Sequence, residues 1–159
     1  RNYFKIIRIR YDNRFELEIN IEEKLLGLEV PQLIIQPVVE NAVKYGLKPK
    51  DGTGVIAVNA KEEEGCLVIT VMDNGVGMEQ ERLKAVKERL ESPETVKHPR
   101  SKRASLGLKN VYDRIKLMFG DAYGLEISSF ENIGTMVKYR LPIIDGTSPA
   151  KEDSGGENV

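Results

Sequence analysis

The sequence predicts an α/β (α+β) two-layer sandwich, a mixed and mostly antiparallel sheet with helices on one face. Two observations carry this. Segments of strand period and helix period follow one another as strand, helix, two strands, helix, long loop, helix, two strands. The 159-residue length suits one domain with a sizeable core rather than two domains.

Each element has its own signal. Residues 2–11 are amphipathic and read as the end of a helix arriving from upstream, so residues 1–12 are assigned to a preceding helix. Arg14 to Ile19 alternates apolar and charged residues, the pattern of a half-buried strand. Glu22 to Leu26 is a short helical turn. Pro31 opens a helix over about Gln32 to Tyr45, with Gly46 placed to cap it. Pro37 lies inside that pattern and implies a kink, or a helix that starts there. Gly54 to Lys61 and Cys66 to Met72 form a hairpin through Glu62–Gly65. A helix follows at about Glu79 to Leu90. Glu91 to Ser105 is polar, basic and aperiodic, a long loop of the kind that is usually functional. Leu108 to Phe119 is a third helix ended by Gly120, and Leu125 to Phe130 pairs with Thr135 to Leu141 around Glu131–Gly134. The domain spans residues 13–144, and residues 145–159 have the composition of a disordered tail.

Composition narrows the function. Lys+Arg is 24 against Asp+Glu 25, so the net charge of -1 gives no reason to expect nucleic acid. Cys66 is the only cysteine, which excludes a disulfide within the chain and a cysteine-based zinc site. A reducing, cytosolic setting is the simpler expectation. No apolar run reaches the roughly 18 residues of a membrane span. The chain opens at Arg1 without Met and without the apolar block of a signal peptide, and it is read as a fragment of something longer.

Three short segments carry chemistry. In Glu40-Asn41-Ala42-Val43-Lys44-Tyr45, helical spacing places Asn41, Lys44 and Tyr45 on one face, while Ile35, Val39 and Val43 form a core stripe. An amide oxygen suits Mg²⁺, and the ammonium and phenol can donate to phosphate. An ordinary surface helix with a Glu40–Lys44 pair would read the same way. In Asp73-Asn74-Gly75-Val76-Gly77-Met78, Asn-Gly is also a hairpin signal, but the following EQERLKAVKERL is helical in period. The glycines allow close approach to a flat ligand, and Asp73 can accept from an exocyclic amine such as adenine's. A calcium loop lacks its later acidic ligands. In Ser105-Leu106-Gly107-Leu108-Lys109-Asn110, Gly107 lies just before a helix whose N–H groups favour phosphate; a plain loop-to-helix junction fits equally. There is no Walker A loop and no dinucleotide GxGxxG.

Together these segments resemble the GHKL ATPase superfamily, with its Bergerat fold and ATP lid. QPVVENAVKYG looks like its asparagine box, DNGVGM its first glycine box and SLGLKNV its second. QPVVENAVKYG with GLKNVYDRIKLMFG is most similar to the LytS/YesM-type sensor histidine kinases, over about Arg14 to Pro142. The resemblance implies ATP and Mg²⁺ as cofactors. It implies that Asn41 holds Mg²⁺, that Lys44 and Tyr45 contact phosphates, and that Asp73 reads the adenine amine. Gly75, Gly77 and Met78 line the adenine pocket, Leu106, Gly107 and Leu108 lie at the phosphates, and Thr135 assists Asp73. Glu91 to Ser105 matches the ATP lid, in which Lys97, Arg100, Lys102 and Arg103 can reach phosphates. Two departures stand out. Ser105 replaces the usual Gly of the second glycine box, and Tyr45 stands where many LytS/YesM-type kinases have His.

Hydrolytic members of the superfamily place a water-activating Glu one helical turn before the Asn. Here that position is Pro37, which favours transfer to a protein side chain; Glu40 beside Asn41 is the candidate catalytic carboxylate, either orienting a metal-bound water or supporting the residues that hold the metal. His98, the only histidine, lies in the lid before Pro99 and lacks the helical context of a phosphoacceptor. The acceptor is therefore expected upstream, on the protein's own dimerisation segment. The expected partners are that segment and a cognate response regulator, in a homodimeric and membrane-bound sensor whose cytoplasmic part includes this domain. The alternatives are an anti-sigma-factor-type kinase and a nucleotide-binding module without transfer activity.

Overall fold

Burial alternates along Gly54–Glu63, Gly124–Phe130 and most of Gly134–Pro142, and this gives the sheet two unlike faces. The computed structural model describes residues 15–31, 33–49, 52–92 and 103–144, of which 103–106 by backbone alone. Strands β1 (Phe15–Ile21), β2 (Gly54–Glu63), β3 (Cys66–Asp73), β4 (Gly124–Phe130) and β5 (Gly134–Pro142) lie in the order β1-β2-β3-β5-β4. β1 runs parallel to β2 and the other pairs are antiparallel, the mixed sheet the sequence predicts. Ile19, Val58, Val71, Val137 and Ile127 form one row across it, and Ile21, Ala60, Ile69, Tyr139 and Leu125 the next. Most of these side chains are buried. The residues between them face away from the helices and make a polar row of Asn20, Asn59, Thr70, Lys138 and Glu126.

Helices close the apolar face. They are α1 (Gln36–Asn41), which runs on into a π-helical segment at Ala42–Leu47, α2 (Gln80–Glu91) and α3 (Arg103–Phe119), with a 3-10 turn at Glu23–Leu25. Ile34, Val38, Val39, Val43 and Leu47 from the first, Leu83 and Leu90 from the second, and Leu108, Val111 and Ile115 from the third fill one core. Each such side chain contributes about 1.5–3 kcal/mol by leaving water. Tyr139 is fully buried, and its hydroxyl donates to the Ile34 carbonyl at 2.8 Å, fixing β5 to the entry of α1. The outer face relies on charges: Glu63 meets Lys61 at 3.4 Å and Lys138 at 3.6 Å, and Lys61, first by hydrogen bonding, holds the Glu63 carboxyl below its ordinary range.

Four expectations need correction. The first helix begins at Gln36, not Gln32. Pro37 falls in its first turn, where a missing N–H costs nothing, and Leu33 at φ 65 bars helix before it. Gly46 does not cap that helix; it is buried inside the π-helical segment, which ends at Leu47. The β2–β3 turn is only Glu64–Gly65, both at positive φ (52° and 72°), the geometry of a two-residue hairpin. The third helix starts at Arg103 rather than Leu108, so Gly107 lies within it. The assignments made for residues 1–12, 145–159, His98, Lys97, Arg100 and Lys102 fall outside the described residues.

Candidate functional site

The site forms where β3 ends. Asp73 is the last residue of the strand, and Thr135 on β5 is its direct cross-strand partner, so both side chains point to the helical side. Asn74 does not turn the chain into a hairpin. Its Oδ1 accepts the Val55 N–H at 2.9 Å and its own N–H donates to the Val55 carbonyl at 3.2 Å, which ties the loop to β2.

The glycine loop is stapled at every step. Asp73 Oδ1 accepts the Gly75 N–H at 2.9 Å. The Val76 N–H donates to the Gly46 carbonyl at 3.0 Å, and the Val76 carbonyl accepts from the Asn132 N–H at 2.7 Å. A Cβ on Gly75 would lie 2.4 Å from the Gly46 carbonyl carbon, and one on Gly77, at φ 65, would lie 1.9 Å from the Phe130 carbonyl oxygen. These glycines therefore let protein backbone meet protein backbone, rather than only leaving room for a ligand. Gly46 belongs to the same arrangement, since its Cβ would sit 2.7 Å from Asp73 Oδ1. From sequence Gly46 is assigned only a capping role, because its partner loop is distant in the chain.

Asn41 closes α1 and is half-buried. Glu40 beside it is exposed and accepts the Gln36 side-chain amide at 2.9 Å. The π-helical segment then widens the turn, a local change that recurs at functional sites. Within it Lys44 is exposed and Tyr45 is half-buried. The Lys44 ammonium lies 5.1 Å from the Tyr45 ring centroid, a cation–π contact. α3 meets α1 at Gly107, where a Cβ would be 3.5 Å from Pro37 Cβ and 4.0 Å from Asn41 Nδ2. The structure thus brings Asn41 to Gly107, and Asp73 to Gly46, Gly75 and Thr135. Met78 is half-buried against the core, and the Leu108 side chain is buried in the core. The Leu106 side chain lies outside the described residues.

One functional candidate escaped sequence reasoning. Ser129 on β4 is 1% exposed, pairs with Thr135, and bonds to both the Thr135 hydroxyl at 2.9 Å and the Gly134 carbonyl at 3.0 Å. Its signal was available: Ser129 continues the buried series Leu125, Ile127, where an apolar residue is expected.

A mixed sheet with one helical layer, an acidic residue at a strand end above a stapled glycine loop, and an asparagine on the facing helix define the nucleotide-binding domain class that the three boxes suggested. Residues 29–145 match the family described as histidine kinase-, DNA gyrase B-, and HSP90-like ATPase, and the chain belongs to that family. It is 34% identical over 142 residues to the sensor histidine kinase YesM of Bacillus subtilis, covering 89% of this chain and 22% of that protein. It is 28% identical over 140 residues to the sensor protein LytS of Oceanobacillus iheyensis, covering 88% of this chain and 23% of that protein. The chain thus spans under a quarter of the length of these two relatives. Among solved structures, the mycobacterial sensor histidine kinase MprB shares the fold, with a TM-score of 0.57 and 18% identity over 89% of this chain and 90% of that one. Among the described residues, no helix is long and apolar enough to cross a membrane.

Proposed function

We propose that this chain binds Mg²⁺·ATP between α1, the β3 loop and α3, and passes the γ-phosphoryl group to a histidine on a separate phosphoacceptor segment. The observation that carries the reading is the Asp73 loop, fixed by its own backbone bonds opposite Thr135 and beside the Asn41 helix. A carboxylate and a hydroxyl facing each other across β3 and β5 suit the exocyclic amine of adenine. Gly75, Gly77 and Met78 then form the wall against the base.

At the other end Asn41 offers an amide oxygen to Mg²⁺, with Lys44 and Tyr45 as donors to phosphate. Mg²⁺ takes one or two protein oxygens and completes its shell with phosphate and water. Among the described residues no group of three His, Cys, Asp or Glu is gathered, and this mode of binding needs none. When bound, the ion would supply charge neutralisation on the phosphates. Because α3 starts at Arg103, the N–H groups of Arg103, Ala104 and Ser105 in its first turn have no intrahelical partner. Leu106 follows directly after these groups at the phosphate end, whereas Gly107 acts by letting α3 approach Pro37 and Asn41. Leu108 contributes by seating α3 against the core.

Pro37 packs near Gly107 and offers no base one turn before Asn41. Glu40 is the exposed carboxylate next to Asn41, placed to order the incoming acceptor. By the names of its relatives, the whole protein is a sensor kinase. We extend this to a homodimer that uses its own upstream acceptor segment, signals to a response regulator and holds this domain on the cytoplasmic side of a membrane. Calorimetry with Mg·ATP tests the binding, and mixing the chain with a separately made acceptor segment tests the transfer. The expected result is acid-labile label on that segment and none on this chain. Absence of ATP binding, or label on this chain, would overturn the reading.

A further inference from the structure

The hydroxyl hydrogens around Thr135 can be counted. Ser129 is 1% exposed, so its partners are protein groups. Its single hydrogen serves the Gly134 carbonyl at 3.0 Å, since a carbonyl can only accept. The 2.9 Å contact between the Ser129 and Thr135 hydroxyls must then be donated by Thr135. Thr135 has no second hydrogen, so toward the ligand it presents lone pairs only. Asp73, its cross-strand partner on the same face, is a carboxylate and also only accepts.

We propose that Ser129 is a specificity-determining residue: it holds the Thr135 hydroxyl as an acceptor, so that the pocket takes a 6-amino purine nucleotide and rejects a 6-oxo one. This rests on the nucleotide reading above. The polarity survives a bridging water. A water that gives one hydrogen to Asp73 and the other to Thr135 has only lone pairs left for the base, and again accepts from an amine. A 6-oxo purine brings its own acceptor to that point and leaves it unpaired, which is the strongest basis for rejection a polar site has. Two further close contacts keep the register from slipping. A Cβ on Gly134 would lie 1.9 Å from the Asp73 carbonyl oxygen, and Gly77 abuts Phe130 next to Ser129.

The test compares the affinities of ATP and ITP, each with Mg²⁺, by calorimetry on the 159-residue chain and its variants. The parent should prefer ATP. Ser129→Ala frees the Thr135 hydrogen to donate and should lower the ATP/ITP preference about fivefold or more, chiefly by improving ITP. Thr135→Val should lower it as well, and the double variant should lower it no further than Thr135→Val alone, because Ser129 acts through Thr135. A packing role would weaken both nucleotides together. A smaller change in preference than this for Ser129→Ala overturns the inference while leaving ATP binding intact, as does a parent that binds ATP and ITP equally. Ser129→Cys, which fills the space with a weakly bonding thiol, is held to the same threshold if the alanine variant does not fold. Failure of the parent to bind ATP overturns the nucleotide reading and this inference with it.

Discussion

Asp73→Asn separates the two tasks that the structure gives this side chain. One carboxylate oxygen, Oδ1, accepts the Gly75 N–H at 2.9 Å and helps to hold the loop. An asparagine oxygen can keep that bond, so the loop and its links to Gly46, Asn132 and Val55 should persist. What asparagine cannot keep is acceptor-only character toward a bound amine, because its amide nitrogen brings two hydrogens. The loss is one hydrogen bond to a charged group, about 1.5–3 kcal/mol. At 1.4 kcal/mol per decade, affinity for Mg·ATP should fall about 10- to 150-fold. Calorimetry measures this directly, and thermal unfolding without nucleotide supplies the control. A loss below about threefold would refute the assignment of Asp73 to the base, since it lies well under the weakest bond of that type. A large loss accompanied by a lower melting temperature would refute the separation, because Asp73 would then be acting through the loop.

The other predictions test the surroundings. Gly75→Ala drives a methyl to 2.4 Å from the Gly46 backbone, which cannot yield as a side-chain tip would; about 1–3 kcal/mol of stability should be lost in a denaturant melt, with weaker ATP binding. Glu40→Gln leaves Asn41 untouched, so calorimetry should show Mg·ATP affinity nearly unchanged, while transfer to an acceptor segment should drop about 10²-fold or more in a labelling assay. Tyr139→Phe leaves the buried Ile34 carbonyl without its donor and should cost about 1–3 kcal/mol. Burial raises the Tyr139 phenol well above its ordinary value of 10.0. The unfolded chain therefore releases this proton near pH 10 while the folded chain keeps it. Its contribution is fully present below that pH, and above it parent stability should fall by about 1.4 kcal/mol per pH unit, a slope that Tyr139→Phe removes.

The strands were legible because one face of the sheet is buried and the other is wet. Leu125, Ile127 and Val137, Tyr139, Leu141 alternate with polar neighbours, and the hairpins follow. The helices were less legible at their ends. Nothing in Ala42 to Leu47 announces a π-helical turn, whose cost is met by burial of Val43 and Leu47 and by contact with β3, both tertiary terms. The early start of α3 was hidden by Arg103, Ala104 and Ser105, which continue the polar, basic composition of the preceding loop. In the site, the residue types that touch a ligand were readable from the three boxes, but their support was not. Gly46 needs a loop about thirty residues away to explain it, and the polarity of Thr135 depends on a hydrogen of Ser129.

On the proposed reading, the two ends of the site are built for different purposes. The adenine end is rigid by construction, with β2, the β4–β5 turn and the π-helical segment contributing backbone, and Asp73 its side chain, to hold one loop. Preorganisation of this kind spends little free energy on ordering when the base arrives. The phosphate end is made from the tip of α1 and the first turns of α3, joined through the small contact surface of Gly107 with Pro37 and Asn41. A carboxylate at residue 37 would set a base for water there; the proline instead gives that junction an inert surface. The neighbouring carboxylate, Glu40, is turned outward and exposed, so the reacting partner has to arrive from solvent. A site that grips the base, lacks a base for water on that turn and leaves its carboxylate facing outward is suited to keeping ATP intact until an acceptor side chain is presented to it.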